Sequence, residues 1–317
     1  MASTSNLMWN SSFQCAITFD FDPTNVTHFP ASVVPTLISL VAINIVTSPP
    51  TVLINLLVIW TVLENKQLRS NSYNLIFAIL SLSDLLIGLI VQPLFVALGV
   101  CITVQCSYIC ELTMAYAVSA LLCYGWTAVT LAIVSLERYL YIERPLFYHA
   151  SVTSKKLMIA TAVTWSCVGF SKVFSRILAN SSFWTRQLPM ILTMGPSFVI
   201  IFFCVTKIHL TARRQMRTIV AQQQSVAQQG KIKEYKRTLT LGLVVLASVV
   251  CLCPILILKI VGAVKSNWGD DDFRYLSQGI YFTVMHMQSI INPIIYSFRL
   301  SDIRSGVKNK ICRHFRA

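Results

Sequence analysis

The stretch Leu112–Tyr139, LTMAYAVSALLCYGWTAVTLAIVSLERY, contains the clearest signal in this chain. Its first part, residues 112–136, includes no charged side chain, and Glu137 and Arg138 follow it directly. A helix needs about 20 mostly apolar residues to cross the hydrocarbon core of a bilayer. Ionisable side chains at the edge of such a helix usually have partners and serve function. We therefore expect residues 112–136 to cross a membrane and the Glu-Arg pair to act at its boundary.

The composition of the whole chain agrees with a membrane protein. Of its 317 residues, 55% are hydrophobic and 12% are charged, whereas soluble domains carry about 25% charged residues. Residues 1–33 include no Lys or Arg, and no compact apolar run follows a basic segment. We therefore expect no cleaved signal peptide, so that the first apolar stretch acts as its own insertion signal.

Seven apolar stretches have about the length that a membrane crossing requires. They cover residues 35–63, 75–100, 112–136, 157–178, 188–206, 238–258 and 275–298. Lys172 and Arg176 interrupt the end of the fourth, and we expect both long side chains to reach an interface with their charged ends. The pattern predicts an all-α membrane protein, a seven-transmembrane helix bundle over residues 34–298, after an N-terminal tail of residues 1–33.

The last residues, 299–317, predict a short amphipathic C-terminal helix and tail. Apolar residues recur at every fourth position, with Arg and Lys between them, at Ile303, Val307, Ile311 and Phe315. Such a helix lies in the membrane interface with its apolar face toward lipid. Cys312 stands near its end, and both a reversibly palmitoylated cysteine and a plain free thiol are open there.

The distribution of basic residues predicts the orientation. Four segments carry 20 of the 26 Lys and Arg residues, namely 64–74, 137–156, 207–237 and 299–317. Because basic loops stay in the cytoplasm, we expect these segments and the C-terminus to be cytoplasmic and the N-terminus to be extracellular. The net charge of +14 is then a signal of topology, with anionic membrane lipids as partners, and it does not indicate nucleic-acid binding.

Three N-glycosylation sequons fall on the predicted outer side. They begin at Asn10, Asn25 and Asn180, and glycan acceptors of this kind lie on extracellular loops. Asn180 is informative about topology as well, because the fourth apolar stretch must carry it outside. The three sequons therefore support the orientation independently of the basic residues.

Asp84 is a carboxylate in the middle of the second apolar stretch. A charge at the centre of a membrane helix costs about 2.5–3.5 kcal/mol on insertion scales, so this group must be protonated, paired or bound to an ion. The polar residues of other stretches that we expect around it are Asn55, Thr127, Ser289 and Asn292. An ion path past Asp84 would make the chain a transporter or channel, but the internal repeats that favour this alternative are absent from the sequence.

Prolines predict weak points in the later stretches. The seventh ends in Asn292–Tyr296, NPIIY, in which Pro293 removes a backbone donor. Pro196 and Pro254 lie inside the fifth and sixth stretches. Helices with such hinges can bend between two packings, as a conformational switch requires.

Together these features resemble the rhodopsin-like (class A) G-protein-coupled receptors across about residues 35–315. The landmarks follow the family's order, and they are Asn55, Leu82-Ser83-Asp84-Leu85, Glu137-Arg138-Tyr139, Pro145-Leu146-Phe147-Tyr148-His149, Trp165, Pro196, Pro254 and Asn292-Pro293-Ile294-Ile295-Tyr296. Each motif alone is modest support, whereas the complete ordered set is highly specific. The resemblance implies a receptor of the plasma membrane that passes an extracellular ligand signal to heterotrimeric G proteins and has no enzymatic chemistry.

The resemblance also implies roles for single residues. Its switch and coupling residues would be Glu137, Arg138, Tyr139, Glu234, Asn292, Pro293 and Tyr296. Arg138 would pair with Glu137 and Glu234 in the inactive state and then be released to meet a G protein, with arrestin as a further partner. An allosteric sodium ion, the one cofactor implied, would be held by Asp84, Thr127, Ser289 and Asn292.

The chain departs from the family at several landmark positions. The family usually joins the top of span three to the second outer loop by a disulfide, but residues 177–187 include no cysteine. An alternative bridge among four outer cysteines stays open, and these are Cys15, Cys101, Cys106 and Cys110. In span six, Leu252 replaces the usual tryptophan, and Ser248, one turn below, replaces a usual phenylalanine.

The implied ligand pocket lies in the outward halves of spans three and seven. Its predicted lining is Tyr116, Ala120, Cys123, Tyr124, Phe282, Met285 and His286. Ala120 stands where the family's monoamine receptors carry an acid, and His286 stands where opsins carry the retinal-binding lysine, so both ligands are disfavoured. A small molecule, a lipid and a peptide all stay open. The sequence has no hydrolase, zinc-protease or P-loop motif, which disfavours an enzyme.

Overall fold

The computed structural model describes residues 33–178, 183–221 and 271–299, together with seven single positions, 242, 246, 248, 250, 251, 305 and 306. The helices in the described part are α1 Val33–Glu64, α2 Lys66–Ser70, α3 Ser72–Leu86, α4 Gln92–Val104, α5 Ile109–Glu143, α6 Pro145–Ser151, α7 Ser154–Leu178, α8 Phe183–Ala221 and α9 Asp271–Arg299. No strand occurs among these residues. The predicted all-α bundle is therefore confirmed.

Five helical stretches of the described residues are long and apolar enough to cross a membrane, by length and composition. They are Val33–Glu64, Asn74–Val104, Ile109–Glu143, Ser154–Phe174 and Leu188–Thr211. They coincide with the first five predicted stretches, and the first begins at Val33, the last residue of the predicted tail. The seventh predicted stretch, 275–298, falls within α9.

Two predicted elements lie mostly outside the described residues. Of the sixth apolar stretch, 238–258, the structure describes Gly242, Leu246, Ser248, Val250 and Cys251, which are all helical. Of the C-terminal amphipathic helix it describes the helical residues Ser305 and Gly306. The palmitoylation site Cys312 and the sequons at Asn10, Asn25 and Asn180 are also outside the described part, and they stay predictions.

Helix α5 is the central element of the described bundle, since it packs against α3, α4, α7 and α8. Its buried face contributes Leu131 and Ala128 to the main apolar core, where they meet Phe77 and Leu80 of α3 and Met194 of α8. Large apolar side chains are exposed on the outside of the bundle, among them Phe170, Val199 and Phe202. An apolar outer surface of this kind is the surface that a membrane helix presents to lipid.

The second membrane span contains an irregular segment that the sequence did not predict. Between α3 and α4, residues Ile87–Val91 form a π-helical turn, which is followed by Pro93 in the first turn of α4. The hydroxyl of Ser48 in α1 donates to the Gly88 carbonyl at 2.8 Å. A Cβ at Gly88 would lie 3.0 Å from Cγ2 of Thr51, so the glycine allows α1 to approach this turn closely.

The expectation for Lys172 is wrong, because its side chain turns inward instead of reaching an interface. Lys172 is 4% exposed and lies over Gly125 of α5. A Cβ at Gly125 would be 2.7 Å from the lysine Cε and 2.8 Å from Cγ1 of Val168. The missing side chain at Gly125 therefore provides the space that Lys172 fills. The side chain of Arg176 is outside the described part.

One of the alternative outer bridges is present. Cys101 and Cys106 form a disulfide across the end of α4, where Gln105 takes a left-handed backbone conformation with φ 55°. Cys110, at the start of α5, is also disulfide-bonded. Cystines thus stabilise the end of the bundle where α4 ends and α5 begins, which is the predicted outer face.

Candidate functional site

The C-terminal end of α5 holds a buried ion pair. Arg138 donates from Nε to Glu137 Oε2 and from one terminal nitrogen to Oε1, both at 2.5 Å. The carboxylate side chain is 1% exposed and the guanidinium side chain 12% exposed. A two-point contact of this kind is among the stronger charge-assisted hydrogen bonds. The predicted pairing of Arg138 with Glu137 therefore forms in the structure, whereas Glu234 lies outside the described residues.

Tyr148 of α6 is a second partner of the same carboxylate, and the sequence did not single it out. Its hydroxyl donates to Glu137 Oε1 at 2.6 Å. Burial, and then the hydrogen bond to Glu137, raise the pKa of Tyr148, so the phenol stays protonated and remains a donor. Tyr148 belongs to the Pro145–His149 landmark, and this membership was its only sequence signal.

The guanidinium of Arg138 lies against one aromatic ring of its own helix. The Tyr141 ring centre lies 5.1 Å from Arg138 Cζ, within the range of a cation–π contact. The Tyr141 ring in turn packs edge-to-face on Tyr148 at 5.2 Å. Tyr139 points to the neighbouring helix, where its ring contacts Phe203 of α8 at 5.6 Å. The C-terminal end of α5 is therefore packed against α6 and α8, and the contacts of Arg138 include Glu137 and Tyr141 of its own helix.

A further contact joins the C-terminal parts of α5 and α8. The Thr211 hydroxyl donates to Oε1 of Glu143, the last residue of α5. Neither residue belongs to a motif that the sequence displayed. This contact lies more than one helical turn beyond Arg138 along α5 and connects α5 to α8.

Polar side chains from several helices meet at Asp84, as predicted. The amide Nδ2 of Asn292 donates to Asp84 Oδ2 at 3.1 Å, and the Ser248 hydroxyl donates to Asn292 Oδ1 at 3.0 Å. Asn55 joins the cluster from α1, since its Nδ2 donates to the Ser289 carbonyl at 2.9 Å. The cluster is buried, so these hydrogen bonds form away from bulk water and are correspondingly important for packing.

The predicted sodium ligands fit a cation only in part. Asp84 Oδ1 has no hydrogen-bond partner among the described residues, which leaves one carboxylate oxygen for a ligand. Asn292 turns its NH₂ group toward Asp84, and an NH₂ group cannot ligate a cation. The Thr127 hydroxyl donates to Ser83 at 3.2 Å. The four residues therefore do not form a complete cation shell in this packing.

The predicted pocket residues lie together between the N-terminal half of α5 and α9. They are buried except Phe282, which is half-buried. The imidazole of His286 stacks on Tyr124 at 6.2 Å and meets Tyr116 edge-on at the same distance. Tyr116 also packs on Phe282 at 5.6 Å. Phe95 of α4, which the sequence did not predict, completes the cluster at 5.3 Å from His286.

Asn44 of α1 determines how His286 hydrogen bonds. Its Nδ2 donates to the Leu40 carbonyl at 2.8 Å and to Thr283 at 3.1 Å. Because a carbonyl only accepts, this amide orientation is fixed, and Asn44 Oδ1 faces His286 Nδ1 at 2.6 Å. His286 Nδ1 must then carry the proton. In the neutral ring Nε2 is therefore an acceptor, and it has no partner among the described residues.

Comparison with known proteins identifies the family. The family model described as 7 transmembrane receptor (rhodopsin family) matches residues 54–296. Adenosine receptor A3 of Canis lupus familiaris is 23% identical over 274 residues, which cover 79% of this chain and 83% of that receptor.

Two further receptors are similar to the same extent. Melanocortin receptor 3 of Mus musculus is 25% identical over 271 residues, covering 81% of this chain and 80% of the relative. Histamine H2 receptor of Rattus norvegicus is 26% identical over 271 residues, covering 80% and 73%. The chain therefore belongs to the rhodopsin family of seven-transmembrane receptors and is a G-protein-coupled receptor.

Proposed function

We propose that this receptor lies in the plasma membrane with its N-terminus outside, and that Arg138 is the residue that couples it to a heterotrimeric G protein. The observation that carries the proposal is the buried contact of Arg138 with Glu137, completed by Tyr148. A buried charge is stable only while it is paired and hydrogen-bonded. The contact therefore stabilises the helix packing seen in the structure, which is the closed state. A ligand that binds a different packing more tightly shifts the receptor away from it.

The signal is a population shift between two packings. An extracellular ligand shifts the equilibrium only by the difference between its affinities for the two states. In the open state Arg138 leaves Glu137 and faces the cytoplasm, where the G protein replaces the lost contact. Arrestin is a second partner for this open face.

The inner surface offers two kinds of contact to these partners. Leu146 of α6 is 89% exposed and Phe147 beside it is 55% exposed, so an apolar patch lies next to the ion pair. Segments 137–156 and 207–237, which the sequence assigns to the same side, add 12 Lys and Arg residues, and their positive charge also favours anionic lipid headgroups. Exposed apolar side chains next to charged ones are typical of protein interaction sites.

The ligand contact proposed here is the aromatic cluster around His286, with Tyr116, Tyr124 and Phe282. Its polar atoms are phenol hydroxyls and an imidazole acceptor, which suit an uncharged, hydrogen-bonding ligand. The relatives are named for adenosine, melanocortin and histamine, three different ligands, so their names do not select one for this chain. The transporter or channel alternative is not favoured, because the chain belongs to a receptor family.

The proposed coupling is tested by nucleotide exchange on a panel of purified G proteins. The full-length receptor and two variants, Arg138→Ala and Arg69→Ala, are compared without ligand and with ligand pools. Arg69 is an exposed basic residue of α2, so its variant controls for lost positive charge. We expect Arg138→Ala to abolish exchange at equal surface expression and Arg69→Ala to retain it. Exchange by Arg138→Ala at the wild-type rate would contradict the proposal.

A further inference from the structure

Ser248 places a hydroxyl where the family usually has a phenylalanine. The residue is fully buried, and it donates to Asn292 Oδ1 in α9 at 3.0 Å. Asn292 in turn donates to Asp84 Oδ2 in α3 at 3.1 Å. Two hydrogen bonds thus connect the sixth apolar stretch, α9 and α3 through one amide. A phenylalanine at position 248 could not make the first of them.

We propose that Ser248 is a positioning residue of the switch, which acts through Asn292 to hold the sixth apolar stretch to Asp84 in the closed packing. The inference rests on the proposed function, since it assigns Ser248 to one of two signalling states. The described packing is the closed one under that proposal, because Arg138 contacts Glu137. The Ser248 contact is therefore formed in the state that does not signal.

The hydrogen-bonding capacity of each group explains the direction of the two hydrogen bonds that link Ser248, Asn292 and Asp84. Asn292 turns its NH₂ group, which can only donate, toward Asp84 Oδ2, which accepts. The amide oxygen of Asn292 then faces the sixth stretch and needs a donor. Ser248 supplies this donor, and linked hydrogen bonds of this kind strengthen one another in a buried site.

The contact is sensitive to movement of the sixth stretch. A hydrogen bond of 3.0 Å weakens steeply once donor and acceptor separate by more than a few tenths of an ångström. An outward shift of about 1 Å would leave the buried oxygen of Asn292 without this donor, which is unfavourable. Ser248 therefore stabilises one packing selectively, and only a selective contact can change a two-state population.

The first test measures ligand-free nucleotide exchange by full-length receptors. The variants Ser248→Val and Ser248→Thr are compared because the valine and threonine side chains have the same shape, but only threonine keeps the hydroxyl. We expect Ser248→Val and Ser248→Ala to raise exchange about fivefold, the factor that one ordinary buried hydrogen bond contributes, while Ser248→Thr stays near wild type. Ser197→Ala is the control for a lost buried hydroxyl, because Ser197 donates within its own helix, to the Thr193 carbonyl at 2.7 Å. Equal effects of valine and threonine, or no effect of either, would overturn the inference.

The second test needs no G protein and separates this inference from the proposed function. Apparent melting temperatures are measured for purified receptors in a double-mutant cycle of Ser248→Ala and Asn292→Ala. We expect the effect of Ser248→Ala to be largely lost once Asn292 is absent, since contacting residues are coupled. Additive effects would reject the contact. If the cycle shows coupling while wild type and Arg138→Ala exchange nucleotide equally, the proposed function fails and the contact stands.

Discussion

The hydroxyl of Tyr148 connects α6 to the buried carboxylate of α5 through one hydrogen bond of 2.6 Å. Removing it in Tyr148→Phe leaves the ring packing in place but takes one donor from Glu137. Because hydrogen bonds to charged groups are stronger than neutral ones, we expect ligand-free exchange to rise about tenfold. Tyr108→Phe, which removes a hydroxyl from an exposed side chain at the start of α5, controls for nonspecific effects. Unchanged basal exchange would show that Tyr148 does not contribute to the closed state.

Apart from Phe95, the site residues that sequence reasoning missed are single polar side chains whose partners lie elsewhere in the chain. Asn44 and His286 are 242 positions apart, and Thr211 and Glu143 are 68 positions apart. One polar residue in an apolar helix creates no periodic pattern. The sequence therefore does not show its partner, which depends on how the helices pack. Asp84 and Asn292 were predicted to meet because both are polar residues inside apolar stretches, where each needs a partner, and the family resemblance agreed with this pairing.

At the scale of whole helices the sequence was more informative. The first five predicted stretches agree with described helices, since the thickness of the bilayer sets the length that a crossing requires. The π-helical turn Ile87–Val91 and the inward position of Lys172 were not anticipated. Both depend on close contacts with a neighbouring helix, and a single sequence contains no record of such contacts.

The contact of α5 with α7 depends on Gly125. In Gly125→Ala the new Cβ would lie 2.8 Å from Cγ1 of Val168, so the two helices must separate. Overpacking of this kind costs about 1–3 kcal/mol, and we expect a lower apparent melting temperature. Adding Val168→Ala to Gly125→Ala should restore part of the lost melting temperature, because removing the valine methyl groups makes room for the new Cβ.

Gly195→Ala in α8 is the matched control for this substitution. No atom lies within 4 Å of the position that its Cβ would take, and alanine favours a helix over glycine. We expect its melting temperature to equal or exceed that of wild type. A loss as large as that of Gly125→Ala would mean that the close approach of α5 and α7 is not the cause.

At the scale of the whole molecule, the number of crossings decides which segments face each compartment. Four crossings from an outer N-terminus place residue 180 outside, and seven place the C-terminus in the cytoplasm. We expect Asn180 to carry a glycan and a C-terminal tag to be protected from protease in intact cells. Ser182→Ala destroys the sequon without changing the asparagine, so it should remove one glycan from the electrophoretic pattern, whereas Ser181→Ala keeps the sequon and the glycan. A tag cleaved from outside, together with a glycan at Asn180, would require a different number of crossings.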